Sequence, residues 1–233
     1  MILTIRSIMK KFLKQYKHGF ISIAYVIFYL VWFAYIEKAI VHPKRLIHMK
    51  ADDYIPFCEY FVIPYLLWFV YVAGTVVYFL FKNRQDYYRL CTFLYTGMTI
   101  FLIISTLWPN GHHLRPHAFE SENIFTLLVS GLYRADTPTN LWPSIHVYNS
   151  IGVHIAVLQN AKLRRNKTVH ISSLILCVSI ILSTVFLKQH SLFDVITAFI
   201  MAAIMYLIVY TYDIVTVYQM RRYFSRRRRF RQV

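Results

Sequence analysis

The sequence predicts an all-α integral membrane protein, a bundle of six transmembrane helices with both termini in the cytoplasm. Composition is the first observation behind this prediction: 58% of the residues are hydrophobic and only 15% are charged. A soluble domain of that composition could not cover its surface with polar groups. The second observation is a series of apolar stretches of about 20 residues, the helix length that crosses ~30 Å of hydrocarbon.

Five of these stretches lie clearly between charged or proline-containing breaks. They cover about residues 20–40, 57–81, 88–108, 169–187 and 191–217. A sixth stretch, 144–161, is shorter and contains His146, Asn149 and His154. The first stretch follows a basic start, as in a signal peptide, but it is too long for a signal sequence and lacks a small-residue cleavage site. We therefore interpret it as a retained helix.

The distribution of basic residues predicts the topology. Of the 26 Lys and Arg, five precede the first span, three lie in 82–89, four in 162–167 and seven in the tail. The positive-inside rule places these four segments in the cytoplasm and the loops after the first, third and fifth spans outside. A five-span chain would break this alternation. The net charge of +16 therefore reflects membrane topology, and we expect no nucleic-acid partner.

We expect one membrane domain, residues 20–217, between a cytoplasmic basic N-terminus, 1–19, and a polybasic cytoplasmic tail, 218–233. The tail either anchors the topology or binds anionic lipid headgroups, at ~1 kcal/mol per basic residue. Cys58, Cys91 and Cys177 are far apart and match no metal spacing, so free thiols are expected. Neither a metal nor a cofactor is expected, and the sequence leaves the oligomeric state open.

Ionisable residues in or beside membrane spans are costly and therefore indicate function. The first such cluster follows the third span and contains Arg115, followed by Pro116. The Arg115 guanidinium could bind two phosphate oxygens in a bidentate arrangement, or it could anchor the chain at a lipid headgroup. The second cluster, Pro143 to His146, opens the fourth span. A helix that starts near Ser144 has free backbone N–H groups in its first turn, and these groups can bind an anion. A helix cap without any bound ligand would have the same sequence pattern.

The third cluster, His190 to Asp194, opens the sixth span. Spacing i, i+4 brings both side chains to one helix face, where the acid can hold one imidazole nitrogen and leave the other as a nucleophile. A buried pair that only packs the bundle is the alternative. All three clusters lie on the outer side of the predicted topology.

In this order and spacing, the clusters resemble the type 2 phosphatidic acid phosphatase superfamily. Its signature is Lys-x6-Arg-Pro, then Pro-Ser-Gly-His, then Ser-Arg-x5-His-x3-Asp. The resemblance implies that His190 attacks phosphorus, that Asp194 orients it, and that His146 protonates the leaving oxygen and then activates water or an alcohol. By the same resemblance, Arg115 and Ser144 would contact the substrate, a lipid phosphate or phospholipid headgroup. We add Lys188 as a substrate contact that could supply charge. The predicted topology makes this site face outward, and we place the protein in the plasma membrane.

The sequence departs from this signature at three positions. Trp108 and Thr184 replace the expected Lys and Arg, and Ile145 replaces the glycine, where we expect it to crowd the helix start. The transferase branch that includes inositol phosphorylceramide and sphingomyelin synthases also has fewer Lys and Arg residues in these motifs. The chain resembles this branch as well. Hydrolysis and transfer therefore both stay open. A non-catalytic lipid-binding or scaffold member of the family and a small transporter are the alternatives to an enzyme.

Overall fold

The computed structural model describes residues 14–40, 43 and 45–230, without the side chains of Arg222 and of residues 224–230. The first basic residues of the predicted N-terminal segment and the last residues of the tail lie outside this part. The described residues form nine α-helices: α1 (Phe20–Ala39), α2 (Val62–Lys82), α3 (Arg84–Leu107), α4 (Ile124–Ala135), α5 (Ile145–Gln159), α6 (Ala161–Arg165), α7 (Lys167–Phe186), α8 (Leu192–Tyr206) and α9 (Ile214–Phe230). The all-α prediction is confirmed.

Five helices, counted with the short turns that extend them, are long and apolar enough to cross a membrane within the described residues. They are Lys17–Ala39, Glu59–Lys82, Arg84–Leu107, Lys167–Phe186 and Leu192–Thr211. Large apolar side chains project outward from them, as at Val31, Val70 and Ile175, which are 60–68% exposed. Such faces suit lipid and would be costly in water.

The sixth predicted span forms the short central helix α5. At 15 residues it is about 22 Å long, less than the ~30 Å of hydrocarbon. It packs against α2, α3, α7 and α8, and most of its residues are buried. Because other helices surround α5, its polar residues face protein and its hydropathy stays below that of a lipid-facing span.

The basic turns gather at one end of the bundle. Asn160, after α5, donates to the Asp86 carboxylate at 2.7 Å, and Arg89 pairs with Asp213 at 2.6 Å. The ring of His18, before α1, lies 3.3 Å from the Leu80 carbonyl. The segments that the positive-inside rule assigned to one side therefore lie together.

The last predicted span is shorter than the apolar stretch 191–217. Helix α8 ends at Tyr206, a π-helical turn spans Leu207–Thr211, and Asp213 has a φ of 43° before α9 begins. Its carboxylate accepts both hydrogen bonds of the Arg89 guanidinium. This contact with α3 fixes the break, which local hydropathy does not reveal.

Four connections cover the opposite end of the bundle. A two-residue parallel pair, β1 (Arg45–Leu46) with β2 (Asn110–Gly111), joins two of them. A Cβ at Gly111 would lie 2.5 Å from the Pro138 carbonyl oxygen, so only glycine permits this approach. Asn110 then accepts from the backbone N–H groups of Leu141 and Trp142, which fixes the chain that enters α5.

Candidate active site

The second and third sequence clusters meet at the connection-covered end of the bundle. His146 lies in the first turn of α5, and His190 lies in the loop between α7 and α8. Their ring centroids are 5.8 Å apart. The Ser144 backbone N–H points at the Asp194 carbonyl at 3.4 Å, which joins the starts of α5 and α8. Both imidazoles can therefore contact one small group between them.

His190 and Asp194 form a buried pair. They are 5% and 0% exposed, and Nδ1 of His190 lies 3.4 Å from Oδ2 of Asp194 without the alignment of a hydrogen bond. Asp194 Oδ2 accepts from the Ser191 backbone N–H at 3.0 Å, whereas Oδ1 has no hydrogen-bond partner in the described structure. Burial, with the nearby charge of Arg115, lowers the pKa of His190 to about 3. The imidazole is therefore neutral and keeps a lone pair.

His146 occupies an aromatic pocket on α2. Its ring centroid lies 4.5 Å from that of Tyr65 and 4.4 Å from that of Trp68. The side chain is 9% exposed, and Nδ1 is buried without a partner among the described residues. The aromatic walls orient the ring towards His190.

The backbone of the His190 loop is held from two sides. The Thr184 carbonyl accepts from the backbone N–H groups of Gln189 and His190, both at 3.0 Å. His112 accepts from the Leu114 N–H through Nδ1 and lies 2.9 Å from the Gln189 carbonyl through Nε2. This pattern requires the proton on Nε2. Burial lowers the pKa of His112 to about 4, so it acts as a neutral clamp.

Arg115 joins the first cluster to the other two. Its guanidinium donates to the carbonyls of Tyr133 and Asp136 at 3.2 and 2.7 Å and to the side-chain oxygen of Gln189. Nε is buried and has no partner in the described structure. The positive charge of Arg115 helps to lower the pKa of His190. Arg115 therefore lies at the site, although most of its hydrogen bonds go to other protein groups.

Two carboxylates flank Arg115. Asp136 accepts from the Tyr65 hydroxyl at 3.2 Å, and Glu37, at the end of α1, accepts from Thr137 at 2.5 Å and Asn140 at 3.3 Å. Burial raises the pKa of Asp136 to about 6; Arg115 opposes this rise and Glu37 adds to it. The positive charge at the site is therefore partly balanced.

The remaining two predicted substrate contacts have other partners. Lys188 donates through Nζ to the carbonyls of Asp52 and Ile55, at 2.8 and 2.5 Å. Ser144 is fully buried, and its hydroxyl oxygen faces the Val147 N–H at 3.4 Å as the cap of α5. Ser144 therefore lies at the helix start, as the sequence predicts, whereas the ammonium group of Lys188 binds a neighbouring loop.

The three departures from the family signature have structural explanations. Trp108 is half exposed and carries the Arg45 guanidinium 4.0 Å above its ring. Thr184 is buried beneath the His190 loop. Ile145 packs in a cluster whose buried members also include Tyr29, Ile36, Phe101 and Leu102. The expectation that Ile145 crowds the helix start is therefore wrong, because its side chain packs into the interface with α1 and α3.

Four residues at the site were not predicted from the sequence. Gln189 and Asp52 are 0% and 2% exposed, and both bond to residues that the motifs identified. Tyr65 packs on His146, and Glu37 closes the loop around Asp136. A polar residue between Lys188 and His190 was the available signal for Gln189. Asp52 and Glu37 come from distant connections, and only the tertiary structure reveals them.

Comparison with known proteins matches part of the chain to a family model. No curated protein and no solved structure matches the chain. The family model of the PAP2 superfamily matches residues 114–216, a segment that contains every site residue predicted from the motifs. The superfamily prediction is confirmed, whereas the transferase branch stays a prediction. Through the segment that carries its candidate active site, the chain is similar to the PAP2 superfamily.

Proposed function

We propose that this protein is a membrane-embedded phosphatase or phosphotransferase that acts on a lipid phosphate through a phosphohistidine on His190. The main observation behind this proposal is that the ring centroids of His146 and His190 are 5.8 Å apart. Oδ2 of Asp194 lies 3.4 Å from Nδ1 of His190. Membership of the PAP2 superfamily supports the reaction class, phosphoryl hydrolysis or transfer on lipid phosphates.

In the first step, Nε2 of His190 attacks phosphorus and forms a P–N bond. Its other nitrogen faces Asp194, which stabilises the positive charge that develops on the ring. The P–O bond to the lipid breaks, and His146 gives its proton to the leaving oxygen. The neutral state of His190 supports this role because a protonated ring has no lone pair for attack.

In the second step, water or a lipid alcohol attacks the phosphohistidine. His146, now neutral, takes the proton of the attacking hydroxyl. The P–N bond breaks and His190 recovers its lone pair. Water yields inorganic phosphate or a phosphorylated headgroup, whereas an alcohol yields a new phosphate ester.

Arg115 and the start of α5 would stabilise the phosphoryl oxygens. The unpaired Nε–H of Arg115 and the backbone N–H groups that follow Ser144 are the donors that support this role. We assign Lys188 to the loop at Asp52 and Ile55, because its ammonium group already binds two carbonyls there.

The balance of charge favours a phosphodiester headgroup as substrate. A phosphate monoester carries close to two negative charges at neutral pH, whereas a diester carries one. Arg115 is flanked by Asp136 and Glu37, which act on each other and on Arg115. A site with this little net positive charge suits the single charge of a diester. The charge balance therefore supports a reaction in which the phosphorylated headgroup is transferred.

We further propose that the protein crosses the membrane six times, with both termini in the cytoplasm and the site facing outward from the plasma membrane. The grouping of the basic turns at the end opposite His190 supports this orientation. Helix α5 would then count as a crossing although it is shorter than the bilayer core. The basic tail on α9 would lie against the anionic inner leaflet.

The test compares purified wild-type protein with His190→Ala, and with His117→Ala as a matched control because His117 is exposed. Each is incubated in detergent with phosphatidate, a polyprenyl diphosphate, and phosphatidylcholine with a lipid alcohol. Phosphate release and lipid products are followed together. We expect turnover in the wild type and in His117→Ala and its loss in His190→Ala.

The products separate the forms of the proposal. Free phosphate or free phosphocholine indicates a hydrolase, and a new phospholipid without either product indicates a transferase. Equal turnover by folded wild type and His190→Ala would contradict His190 as the nucleophile. No turnover of any substrate by either protein would contradict catalysis and favour a lipid-binding or scaffold protein. A small transporter is disfavoured because the ionisable residues of the candidate site lie at one end of the bundle and not at its middle.

A further inference from the structure

We propose that Asp52 is a positioning residue that orients the His190–Asp194 pair; the inference rests on the proposed function of that pair. Asp52 lies in a 3-10 turn, Lys50–Tyr54, in the connection between α1 and α2. This connection precedes the segment that matches the family model. The side chain is 2% exposed although the turn lies at the surface of the bundle.

The Asp52 carboxylate caps helix α8 from outside. Oδ1 accepts from the Leu192 backbone N–H at 2.8 Å, and Oδ2 accepts from the Ser191 hydroxyl at 2.6 Å. Oδ2 also accepts from the Met49 N–H at 2.8 Å, within its own loop. A carboxylate at this position satisfies free donors of the first helical turn and interacts favourably with the helix dipole.

This cap limits the donors that Asp194 must satisfy. Asp194 is the third residue of α8, where a carboxylate commonly accepts from the backbone N–H of the residue before the helix. Here it takes only the Ser191 N–H, through Oδ2. Asp52 takes the Leu192 N–H and the Ser191 hydroxyl, so these donors do not compete for Asp194, whose Oδ1 has no partner in the described structure. The Asp194 oxygen that lies 3.4 Å from Nδ1 of His190 is Oδ2. Asp52 therefore holds the start of α8 while Asp194 faces the imidazole.

Lys188 holds the same loop from the other direction. Its ammonium group binds the backbone carbonyls of Asp52 and Ile55, and its backbone has a φ of 51°, which is costly for a lysine. The residues on both sides of His190 are therefore attached to the 50–55 segment. That segment fixes the loop from which His190 attacks.

The test uses Asp52→Asn with Asp53→Asn as the matched control, because Asp53 is exposed and its carboxylate bonds only His48 among the interactions of the described residues. Dioctanoyl phosphatidate and dioctanoyl phosphatidylcholine are the substrates. Turnover is expressed per folded molecule after size-exclusion chromatography. An asparagine offers one acceptor oxygen in place of two, so one bond to α8 is lost.

We expect Asp52→Asn to lower kcat at least tenfold with KM within twofold of the wild type, and to slow the burst of phosphohistidine formation equally. Asp53→Asn should stay within twofold in both. Wild-type kcat per folded Asp52→Asn molecule, even with a lower Tm, would overturn the inference and leave Asp52 a simple helix cap. If Asp52→Asn is not recovered folded, Lys188→Met decides: reduced kcat supports the inference and unchanged kcat overturns it.

Failure of the proposed function looks different. In that case the wild type and Asp53→Asn themselves form no phosphohistidine and turn over neither lipid, and the inference falls with the function. When both are active, only the comparison with Asp52→Asn decides, so the two failures are distinguishable.

Discussion

The Tyr65 hydroxyl donates to the Asp136 carboxylate at 3.2 Å, close to the ring of His146. Asp136 is a buried acid whose pKa is raised to about 6, mainly by burial. As the pH rises from about 4 to about 6, the folded protein holds this proton longer than the unfolded chain does. The free energy of unfolding therefore falls across this range, by up to about 3 kcal/mol.

We accordingly expect Asp136→Asn to raise the Tm at pH 7.5 by several degrees and to leave it unchanged at pH 4. The amide oxygen can still accept from Tyr65, and Arg115 bonds only the backbone carbonyl of this residue. Thermal unfolding in detergent at the two pH values measures the effect, with Asp53→Asn as an exposed control. A Tm that falls at pH 7.5 would contradict this account.

The role of His146 predicts a trapped intermediate. In His146→Ala, an aryl phosphate with a good leaving group needs little acid assistance, so His190 can still be phosphorylated. Hydrolysis of the P–N bond, which needs the base, should slow 10²- to 10⁴-fold. We expect acid-labile, base-stable phosphate to accumulate on the protein and to disappear when His190 is also replaced.

His154→Ala is the matched control for this experiment. His154 lies on the same helix α5 and bonds Ser173 at 3.0 Å, far along the helix from His190. The His154→Ala variant should turn over the aryl phosphate without accumulating phosphate on the protein. Equal labelling of the two variants, or no labelling of His146→Ala, would count against a general acid–base role for His146.

Much of the membrane fold could be predicted from the sequence because hydrocarbon imposes a local rule. The predicted spans 20–40 and 169–187 agree with α1 (Phe20–Ala39) and α7 (Lys167–Phe186) to within two residues. Helix α4, with 12 residues capped by Asn123, is too short for that rule and was not predicted. The break at Asp213 depends on Arg89, which is 124 residues away.

The site follows the same division. Residues within one motif, such as His190 and Asp194, could be predicted because helical spacing brings them together. Contacts between motifs and connections could not: Asp52 meets Ser191 across 139 residues. The direction of the Ile145 side chain depends on how α1 and α3 pack against α5, which no pattern in its own segment encodes.

Ile145 offers a direct test of that packing. We expect Ile145→Gly, which restores the family residue, to destabilise the protein by about 3 kcal/mol through the cavity it leaves near Tyr29 and Leu102. Activity per folded molecule should not rise. Ile145→Val is the graded control and should cost about 1 kcal/mol. A rise in kcat/KM with an unchanged Tm would show that the side chain obstructs the site after all.

Gly97 tests how closely α3 must approach α5. A Cβ at Gly97 would lie 2.0 Å from Cε1 of Tyr148. Tyr148 cannot easily move, because it is fully buried, stacks on Phe93 at 4.7 Å and donates to the Phe93 carbonyl at 2.8 Å. We expect Gly97→Ala to destabilise the protein by about 1–3 kcal/mol.

The same substitution should also lower kcat, because Tyr148 and His146 share the first turns of α5 and a displaced Tyr148 moves the general acid. Gly74→Ala is the matched control: it is also a glycine within a membrane helix, and its added Cβ meets no atom within 4 Å. It should raise stability by up to about 1 kcal/mol, since alanine loses less backbone entropy in a helix. Tm and turnover per folded molecule are measured for both variants. Equal values for the two would show that α5 tolerates displacement and that His146 needs no fixed distance from His190.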